Sequence, residues 1–210
     1  MEIACLDLEG VLVPEIWIAF ANKTGIKELA KTTRDVKDYD VLMRYRLNLL
    51  SEHNLTLSQI KEVIETLEPL EGAGDFIDWL RERFQLVILS DTFYEFAQPL
   101  MKKLGYPTLF CHTLISDKFG IISDYKLRQA DHKRHAVLSL KSLYYRTIAA
   151  GDSYNDISML NEADSGILFS APDNVKIDFP TEAEMDSFVD MIEKEGIVGK
   201  ANHVGKREVL

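Results

Sequence analysis

Short, continuous runs of apolar residues alternate along most of the chain with longer segments in which apolar residues recur at helical spacing. A continuous apolar run is typical of a strand buried on both faces, as in a parallel sheet, whereas the longer segments are typical of helices. The alternation predicts an α/β fold with a doubly wound parallel sheet, that is, a Rossmann-like core. Strands are predicted at 3–6, 85–90, 145–151 and 165–170, helices at 72–84, 94–105, 132–142 and 155–163, and shorter strands or a hairpin at 108–115 and 118–123.

The segment after the first strand has a different pattern. Between Pro14 and about Glu71 no strand is predicted, and apolar residues keep helical spacing in three stretches, at 14–26, 39–53 and 56–67. We therefore predict two units: a Rossmann-like core made of residues 1–13 and 72–210, and a helical cap made of residues 14–71. The tail at 195–210 has weak periodicity, and its structure is left open.

Composition narrows the classes of function. The hydrophobic fraction of 46% in 210 residues is enough for a sizeable core. The net charge of -10 argues against a nucleic-acid partner, since a phosphate backbone requires a basic surface. We expect a small-molecule substrate.

Two further features concern the compartment. Cys5 and Cys111 are far apart and lie in apolar runs, which favours buried thiols in a reducing compartment. No apolar run approaches the roughly 20 residues that would span a bilayer, and the first residues lack a signal-peptide pattern. We therefore expect no membrane partner and a cytoplasmic location. A homodimer is compatible with the sequence, which does not fix the oligomeric state.

Three of the predicted buried strands end in oxygen-bearing side chains. A single Asp or Ser after a strand is often only the N-cap of the next helix. Three such ends in one parallel sheet, however, would converge on one crevice. Clustered carboxylates repel one another unless a hard divalent cation such as Mg²⁺ lies among them, and Mg²⁺ commonly also binds substrate phosphate. The pattern thus predicts a phosphate site, formed by Asp7 and Glu9, by Ser90, Asp91 and Thr92, and by Asp152, Asn155 and Asp156.

These residues resemble a known family. The stretches "DLEG" at 7–10, "SDT" at 90–92 and "GDSYND" at 151–156, with Lys133 between the last two, resemble the four motifs of the haloacid dehalogenase superfamily. Most of its members are Mg²⁺-dependent phosphohydrolases and phosphotransferases. The helical cap, the run "LMRYRLNLL" and "GDSYNDISML" are similar to the phosphoserine phosphatase branch, and to an enzyme of that branch that also passes the phosphoryl group to homoserine.

The resemblance implies a role for each matching residue. Asp7 would be the nucleophile that becomes an aspartyl-phosphate, and Glu9 the general acid and base. Mg²⁺ would be held by Asp7, by the main-chain carbonyl of Glu9 and by Asp152. Ser90, Asp91, Lys133 and Asn155 would bind the phosphorylated substrate. Lys133 and Asp156 would also take part in catalysis, with Asp156 orienting the waters of the metal or the nearby lysine. Lys133 is chosen over Lys126, Arg134 and Lys141 because it opens a helix just before the last motif.

The chemistry of these residue types agrees with those roles. A carboxylate can attack phosphorus when a cation neutralises and positions the phosphate. A Lys and a Ser hydroxyl can bind the equatorial oxygens, where charge lies in the transition state. The family's first motif usually has Asp where this chain has Glu9, so the acid-base carboxylate is one methylene longer, with nearly the same intrinsic pKa. The longer group is compatible with a larger acceptor alcohol.

The cap supplies the expected specificity. In the phosphoserine branch a Glu shortly after the first motif binds the substrate ammonium and an Arg on a cap helix binds its carboxylate, and Glu15 and Arg46 match those positions. A bidentate Arg suits a carboxylate. The alternatives are that Glu15 only starts a helix after Pro14 and that Arg46 is a surface residue, with Arg44 as the second choice.

Three functions therefore compete. The favoured one is a Mg²⁺-dependent phosphoserine phosphatase that hands the phosphoryl group to water or to homoserine. A phosphatase or mutase for a sugar phosphate has the same fold, but it would have no amino-acid zwitterion for Glu15 and Arg46 to bind. A phospho-accepting signalling module also uses acidic residues and Mg²⁺, but it has neither a helical cap nor a second acid two residues after the nucleophile.

Overall fold

A seven-stranded sheet forms the centre of the described chain. The computed structural model describes residues 1–33, 35–36, 38–180 and 184–193. The sheet order is β4-β3-β2-β1-β5-β6-β7. All neighbouring strands are parallel except β3 and β4, which pair antiparallel. The strands are β1 (Glu2–Leu6), β2 (Gln85–Phe93), β3 (Thr108–Ser116), β4 (Ile122–Lys126), β5 (Arg146–Gly151), β6 (Ser165–Phe169) and β7 (Glu184–Met185).

Helices connect the parallel strands on both faces of the sheet. The predicted α/β doubly wound fold is therefore confirmed, with a sheet that is mixed at one edge. The α-helices are α1 (Ile16–Thr24), α2 (Tyr39–Glu52), α3 (Leu57–Glu65), α4 (Ala73–Arg81), α5 (Tyr94–Lys103), α6 (His132–Ser142), α7 (Ile157–Glu162), α8 (Asp173–Asp178) and α9 (Phe188–Glu193), with short 3₁₀ turns at Lys27–Ala30 and Tyr154–Asp156.

The strands β1, β2 and β5 place the site. In β1 the residues Ala4, Cys5 and Leu6 are fully buried, and Cys5 lies opposite Val87 of β2 and Ala149 of β5. Burial on both faces explains why these strands are continuous apolar runs without alternation. Their carboxyl ends therefore point in the same direction, side by side.

The hairpin β3–β4 differs in position from the predicted strands. The second strand begins at Ile122, because residues 117–121 form the turn. In that turn the carboxylate of Asp117 accepts hydrogen bonds from the main-chain N–H groups of Phe119 and Ile121, each at 2.9 Å. Gly120 has a φ of 80°, which suits glycine. The turn chemistry thus ends the apolar run and makes β4 an antiparallel edge strand.

Residues 14–71 contain α1 to α3, as the helical spacing predicts. The C-cap of α1 is Gly25 in the left-handed region, and Thr56 and Gln59 form a capping box at the start of α3. The apolar core runs through this segment and the rest of the chain, since the ring of Trp17 in α1 lies edge to face on Phe96 of α5 at 5.6 Å. The boundary between core and cap stays a prediction.

Three further observations complete the comparison. Both cysteines are buried and neither forms a disulfide, as expected. Burial raises the pKa of Cys5 to about 12.

Strand β7 and helices α8 and α9 have no sequence-based prediction, and the tail at 195–210 lies outside the described residues. Within the described part of the chain, every helix is too short or too polar to cross a membrane.

Candidate active site

The predicted strand ends meet in one crevice. The main-chain N–H of Asp7, one residue past β1, donates to the carbonyl of Ala150 in β5 at 2.9 Å, which continues the sheet to the edge of the site. Ser90, Asp91 and Thr92 lie within the last part of β2, where its register against β3 shifts. Such an irregularity re-aims side chains at the end of a strand. The pocket at this edge is lined by residues of all three strand ends and by residues from 15 to 46, namely Asp7, Glu9, Glu15, Trp17, Thr32, Thr33, Tyr39, Leu42, Arg46, Ser90, Asp91, Thr92, Asp152, Ser153 and Asn155.

Lys133 lies at the centre of the acidic groups. It is the second residue of α6 and is buried. Its Nζ lies 2.7 Å from Asp156 Oδ1, 2.9 Å from Asp7 Oδ1 and 3.3 Å from Asp91 Oδ2. Burial alone would lower the pKa of Lys133, but the three carboxylates outweigh it and hold the pKa well above its usual range. The lysine is therefore a permanent cation beside the predicted nucleophile.

The alternatives to Lys133 lie elsewhere. Arg134 and Lys141 both contact the carboxylate of Glu162, and Lys126 is the last residue of the edge strand β4. Of these four candidates, Lys133 is the one that is buried and lies between Asp7 and Asp156, and its role stays a prediction.

Asp7 is buried in an unfavourable setting for its negative charge. Burial, together with the charges of Asp156 and Asp152, raises the pKa of Asp7 well above its usual range, although Lys133 opposes the shift. Asp156 is already engaged, since its Oδ2 accepts from the N–H groups of residues 152 and 153 and from the Ser153 hydroxyl, each at 3.1 Å. This carboxylate orients the loop that carries Asp152.

The carboxylates fit a hard divalent cation. One oxygen from each of Asp7, Asp152 and Asp156 lies within 4.8 Å of the others, and all three residues are buried. Gly10 has a φ of 81°, and a Cβ on it would lie 2.5 Å from Asp152 Oδ2. Only glycine therefore lets the first loop approach that carboxylate. Buried oxygens with too little positive charge around them match the preference of Mg²⁺ for oxygen ligands.

Glu9 faces both the pocket and the start of α1. Its Oε2 accepts a hydrogen bond from the N–H of Ile16 at 2.9 Å, and the hydroxyl of Thr92 also bonds to its carboxylate. Burial raises the pKa of Glu9, and these two hydrogen bonds with the charge of Arg46 oppose the shift. An acid whose pKa is raised can hold a proton nearer to neutral pH than an exposed Glu can.

Ser90 and Asn155 also lie at the pocket. Ser90 is buried, and its Oγ accepts from the N–H of Thr92 at 3.2 Å. Asn155 donates from Nδ2 to Asp91 Oδ2 at 2.6 Å. The carboxylate of Asp91 is thereby occupied by protein groups, including Lys133 and two histidines, rather than directed only at the pocket.

The two histidines were missed by the sequence analysis. His112 lies in β3 and His132 begins α6, and both are buried with Nε2 close to Asp91 Oδ1, at 3.3 and 3.1 Å. A histidine inside an apolar strand run, as in residues 108–115, is the only sequence signal of such a role. Their meeting depends on where the fold places β3 and α6 and could not be predicted from spacing.

Arg46 is buried, so the alternative that it is a surface residue is wrong. Its guanidinium lies over the ring of Trp17 at 4.5 Å and donates to the carbonyl of Lys31 at 2.7 Å, while its Nε has no hydrogen-bond partner among the described residues. Burial lowers its pKa to about 10, and Glu9 and Glu15 oppose the shift, which leaves it charged at neutral pH.

Glu15 and Arg44 complete the predicted set. Helix α1 begins at Ile16, and Glu15 is its N-cap residue without a side-chain capping hydrogen bond. Glu15 lies in the pocket lining with Arg46, as the resemblance implies. Arg44 is directed away, since it is half exposed and pairs with Asp124 of β4 at 2.7 Å. The pocket therefore brings an acid and a guanidinium from the cap to the acidic strand ends.

Comparison with known proteins supports the same family. A sequence model of the family described as haloacid dehalogenase-like hydrolase matches residues 1–164. A "Phosphoserine phosphatase" of Pseudomonas syringae pv. tomato is 66% identical over 197 residues, which cover 94% of this chain and 83% of the relative. A "Phosphoserine phosphatase ThrH" of Pseudomonas aeruginosa is 65% identical over 191 residues, which cover 91% of this chain and 93% of the relative.

Solved structures have the same fold at low sequence identity. One described as "Phospho-Aspartyl Intermediate Analogue of Phosphoserine phosphatase" aligns with a TM-score of 0.78 and 21% identity over 92% of this chain and 98% of that chain. A "substrate bound phosphoserine phosphatase complex structure" aligns with a TM-score of 0.75 and 20% identity over 92% of this chain and 97% of that chain. Since the family model covers well over half of the sequence and the acidic strand ends meet as its motifs require, the chain belongs to the haloacid dehalogenase-like hydrolases.

Proposed function

We propose that this hydrolase is a Mg²⁺-dependent phosphoserine phosphatase that acts through an aspartyl-phosphate on Asp7. The observation that carries the proposal is the position of Asp7, whose carboxylate lies 2.9 Å from a buried lysine and lines the same pocket as Glu15 and Arg46. The two Pseudomonas relatives with 66% and 65% identity are both named as phosphoserine phosphatases. A structural relative described as an aspartyl-phosphate intermediate analogue supports the covalent route by analogy of fold.

Asp7 supplies the nucleophile. One of its carboxylate oxygens attacks phosphorus, the bond to the serine oxygen breaks, and an acyl-phosphate forms. Lys133 stays charged and stabilises the negative charge that spreads over the phosphoryl oxygens, and the hydroxyl of Ser90 adds a hydrogen bond there. Bound Mg²⁺ would be held by Asp7, the carbonyl of Glu9 and Asp152, and it supplies positive charge that neutralises the phosphate.

Glu9 moves the proton. Its raised pKa lets it donate a proton to the departing serine oxygen and then accept one from the water that attacks the acyl-phosphate. The hydrogen bond from Ile16 holds its carboxylate at a fixed position. Asp156 acts indirectly, because it orients Lys133 and the loop of Asp152.

The cap residues supply specificity for an amino acid. Arg46 remains charged, and within the described part of the chain its Nε has no hydrogen-bond partner, so it can bind a substrate carboxylate. Glu15 offers a negative charge for the substrate ammonium at the same pocket. A sugar phosphate has neither an ammonium nor a carboxylate. The presence of Glu15 and Arg46 in one pocket therefore favours a phosphorylated amino acid over a sugar phosphate as the substrate.

Homoserine is a proposed second acceptor. It keeps the ammonium and carboxylate of serine and adds one methylene before the hydroxyl, so Glu15 and Arg46 could bind it in the same pocket. Glu9 would then take the hydroxyl proton as the phosphoryl group leaves Asp7. The presence of Glu rather than Asp at position 9 is the feature that favours this route.

Product analysis tests both proposals. The protein is incubated with Mg²⁺ and phosphoserine, with and without homoserine, and products are identified by ³¹P NMR, with Asp7→Asn as the control. Inorganic phosphate formed by the wild type and not by Asp7→Asn supports the phosphatase. Phosphohomoserine formed when homoserine is present supports the transfer. If the wild type releases no phosphate from phosphoserine but hydrolyses a hexose phosphate, the proposed substrate is wrong and a sugar phosphate takes its place. Inorganic phosphate as the only product at saturating homoserine would contradict the transfer.

A further inference from the structure

Two histidines outside the four motifs converge on one carboxylate beside the site. The Nε2 atoms of His112 and His132 lie 3.3 and 3.1 Å from the same oxygen of Asp91, and their rings pack edge to face with centroids 4.6 Å apart. Both side chains are at least 97% buried. Neither histidine borders the pocket that holds Asp7, but both line a second pocket beside it, which shares Tyr39, Asp91 and Asn155 with the first. The polar group that both rings contact is the carboxylate of Asp91.

The hydrogen-bond pattern fixes the role of His112. The main-chain N–H of Arg128 donates to Nδ1 of His112 at 3.2 Å, so that nitrogen is the acceptor. The hydrogen of the neutral ring then resides on Nε2 and points to Asp91 Oδ1. Asp91, His112 and His132 have the composition of a metal site, but a metal at Nε2 would require the opposite tautomer. The pattern favours a hydrogen-bond donor.

The other oxygen of Asp91 faces the reaction centre. Asn155 Nδ2 donates to Asp91 Oδ2 at 2.6 Å, and Lys133 Nζ lies 3.3 Å from it. Lys133 in turn lies 2.9 Å from Asp7 Oδ1. A continuous series of contacts therefore runs from the main chain before α6, through His112 and Asp91, to the lysine beside the nucleophile.

We propose that His112, together with His132, is a positioning residue that fixes Asp91 and thereby holds Lys133 and Asn155 in place for phosphoryl transfer. The inference rests on the proposed function, because it assigns Lys133 to the phosphoryl oxygens. A carboxylate beside a phosphate site repels the substrate, so Asp91 must be held at a fixed distance. Two donors on Oδ1 hold it there and leave Oδ2 to the lysine and the amide.

The test compares variants that keep or remove the donor. His112→Phe keeps the ring that packs on Tyr39 and His132, but it removes the Nε2–H group. His112→Gln places an amide N–H at about the same reach. We expect His112→Phe to lower kcat for phosphoserine about tenfold or more with KM changed less than about threefold, since small misplacements of catalytic groups reduce kcat strongly. His112→Gln should regain most of that loss, and His135→Phe, an exposed position of α6, should match the wild type.

Three results would overturn the inference. If His112→Gln and His112→Phe lose activity equally, in proportion to their loss of Tm, the histidine serves packing alone. If His112→Phe keeps the kcat of the wild type, Asp91 needs no such support. If calorimetry shows one Zn²⁺ bound by the wild type and none by His112→Phe, the cluster is a metal site.

The same series on p-nitrophenyl phosphate separates the two proposals. If the wild type is inactive on phosphoserine, the proposed substrate is wrong. If the His112 variants then show the expected order of kcat on p-nitrophenyl phosphate, the positioning role is still supported.

Discussion

Replacement of Lys133 by Met should destabilise the protein as well as inactivate it. The ammonium lies 2.7, 2.9 and 3.3 Å from carboxylate oxygens of Asp156, Asp7 and Asp91, and it is buried with them. The methionine side chain has a similar length but no charge. In Lys133→Met the three carboxylates therefore repel one another, because the cation between them is lost.

The size of the loss follows from those distances. At an effective dielectric constant of about 20, each contact contributes about 5 to 6 kcal/mol of gross attraction, from which the cost of burying the ions must be subtracted. Loss of one partner of a buried ion pair typically costs about 3 to 5 kcal/mol. The variant can relieve part of this loss by protonating Asp7. For a carboxyl group with an ordinary pKa, protonation at pH 7.5 costs about 5 kcal/mol, and it costs less for Asp7 because its pKa is already raised. We expect a loss of about 3 to 5 kcal/mol at pH 7.5.

The loss should shrink at lower pH. A carboxyl group whose pKa is higher in the folded state than in the unfolded state makes the folded state bind more protons, so stability rises as pH falls. Removal of the lysine raises the pKa of Asp7 further. Between pH 7.5 and 5.5 the difference between variant and wild type should narrow by about 1 to 3 kcal/mol, the value for uptake of up to one proton.

Urea denaturation in EDTA at the two pH values measures these differences. Lys141→Met is the matched control, since Lys141 lies on the same helix and is about one-third exposed, with Nζ 2.7 Å from the main-chain carbonyl of Glu162 and 3.7 Å from its carboxylate. Such a surface pair should contribute about 0 to 1 kcal/mol. Equal losses for both variants, or a loss for Lys133→Met that grows as pH falls, would refute the assignment of Lys133 as the cation that compensates the buried acids.

Three further substitutions test the metal ligands, the cap and the first loop. Asp152→Ala should remove Mg²⁺-dependent activity and the rise in Tm that we expect on adding Mg²⁺ to the wild type, because the cation loses one of its few protein ligands. Unchanged activity at low Mg²⁺ would contradict this. Arg46→Ala should weaken kcat/KM for phosphoserine far more than for phosphoethanolamine, which has no carboxylate, and equal losses would show that Arg46 only supports the cap. Gly10→Ala should reduce both activity and Tm, since a Cβ would lie 2.5 Å from Asp152 at a φ of 81°, and a variant with wild-type kinetics would show that the close approach is not needed.

The sequence predicted the strand ends because each is encoded locally. An apolar run followed by an acidic residue identifies both a buried strand and its carboxyl end, and parallel pairing then brings Asp7 and Asp152 together. Lys133 was predictable for the same reason, as it opens the helix that leads into β5. These features depend on residues that are neighbours in the chain.

Features that depend on contacts across the sequence were not predictable. The edge strand β4 starts later than its apolar pattern suggests, because the Asp117 side chain organises the turn before it. The cluster of His112 and His132 on Asp91 joins three separate elements. Spacing along the chain contains no information on such a meeting, whereas the geometry gives it directly.

The charges at the pocket argue that phosphate binding depends on added positive charge. The acids Asp7, Asp152 and Asp156 form one buried group, and the cation in contact with Asp7 and Asp156 is Lys133. A phosphate dianion would add further negative charge to a site where Asp7 already has a raised pKa. A protonated Asp7 cannot attack phosphorus, so whatever admits the phosphate must also keep Asp7 ionised. A divalent cation held by Asp7 and Asp152 would meet both requirements, which Lys133 alone does not.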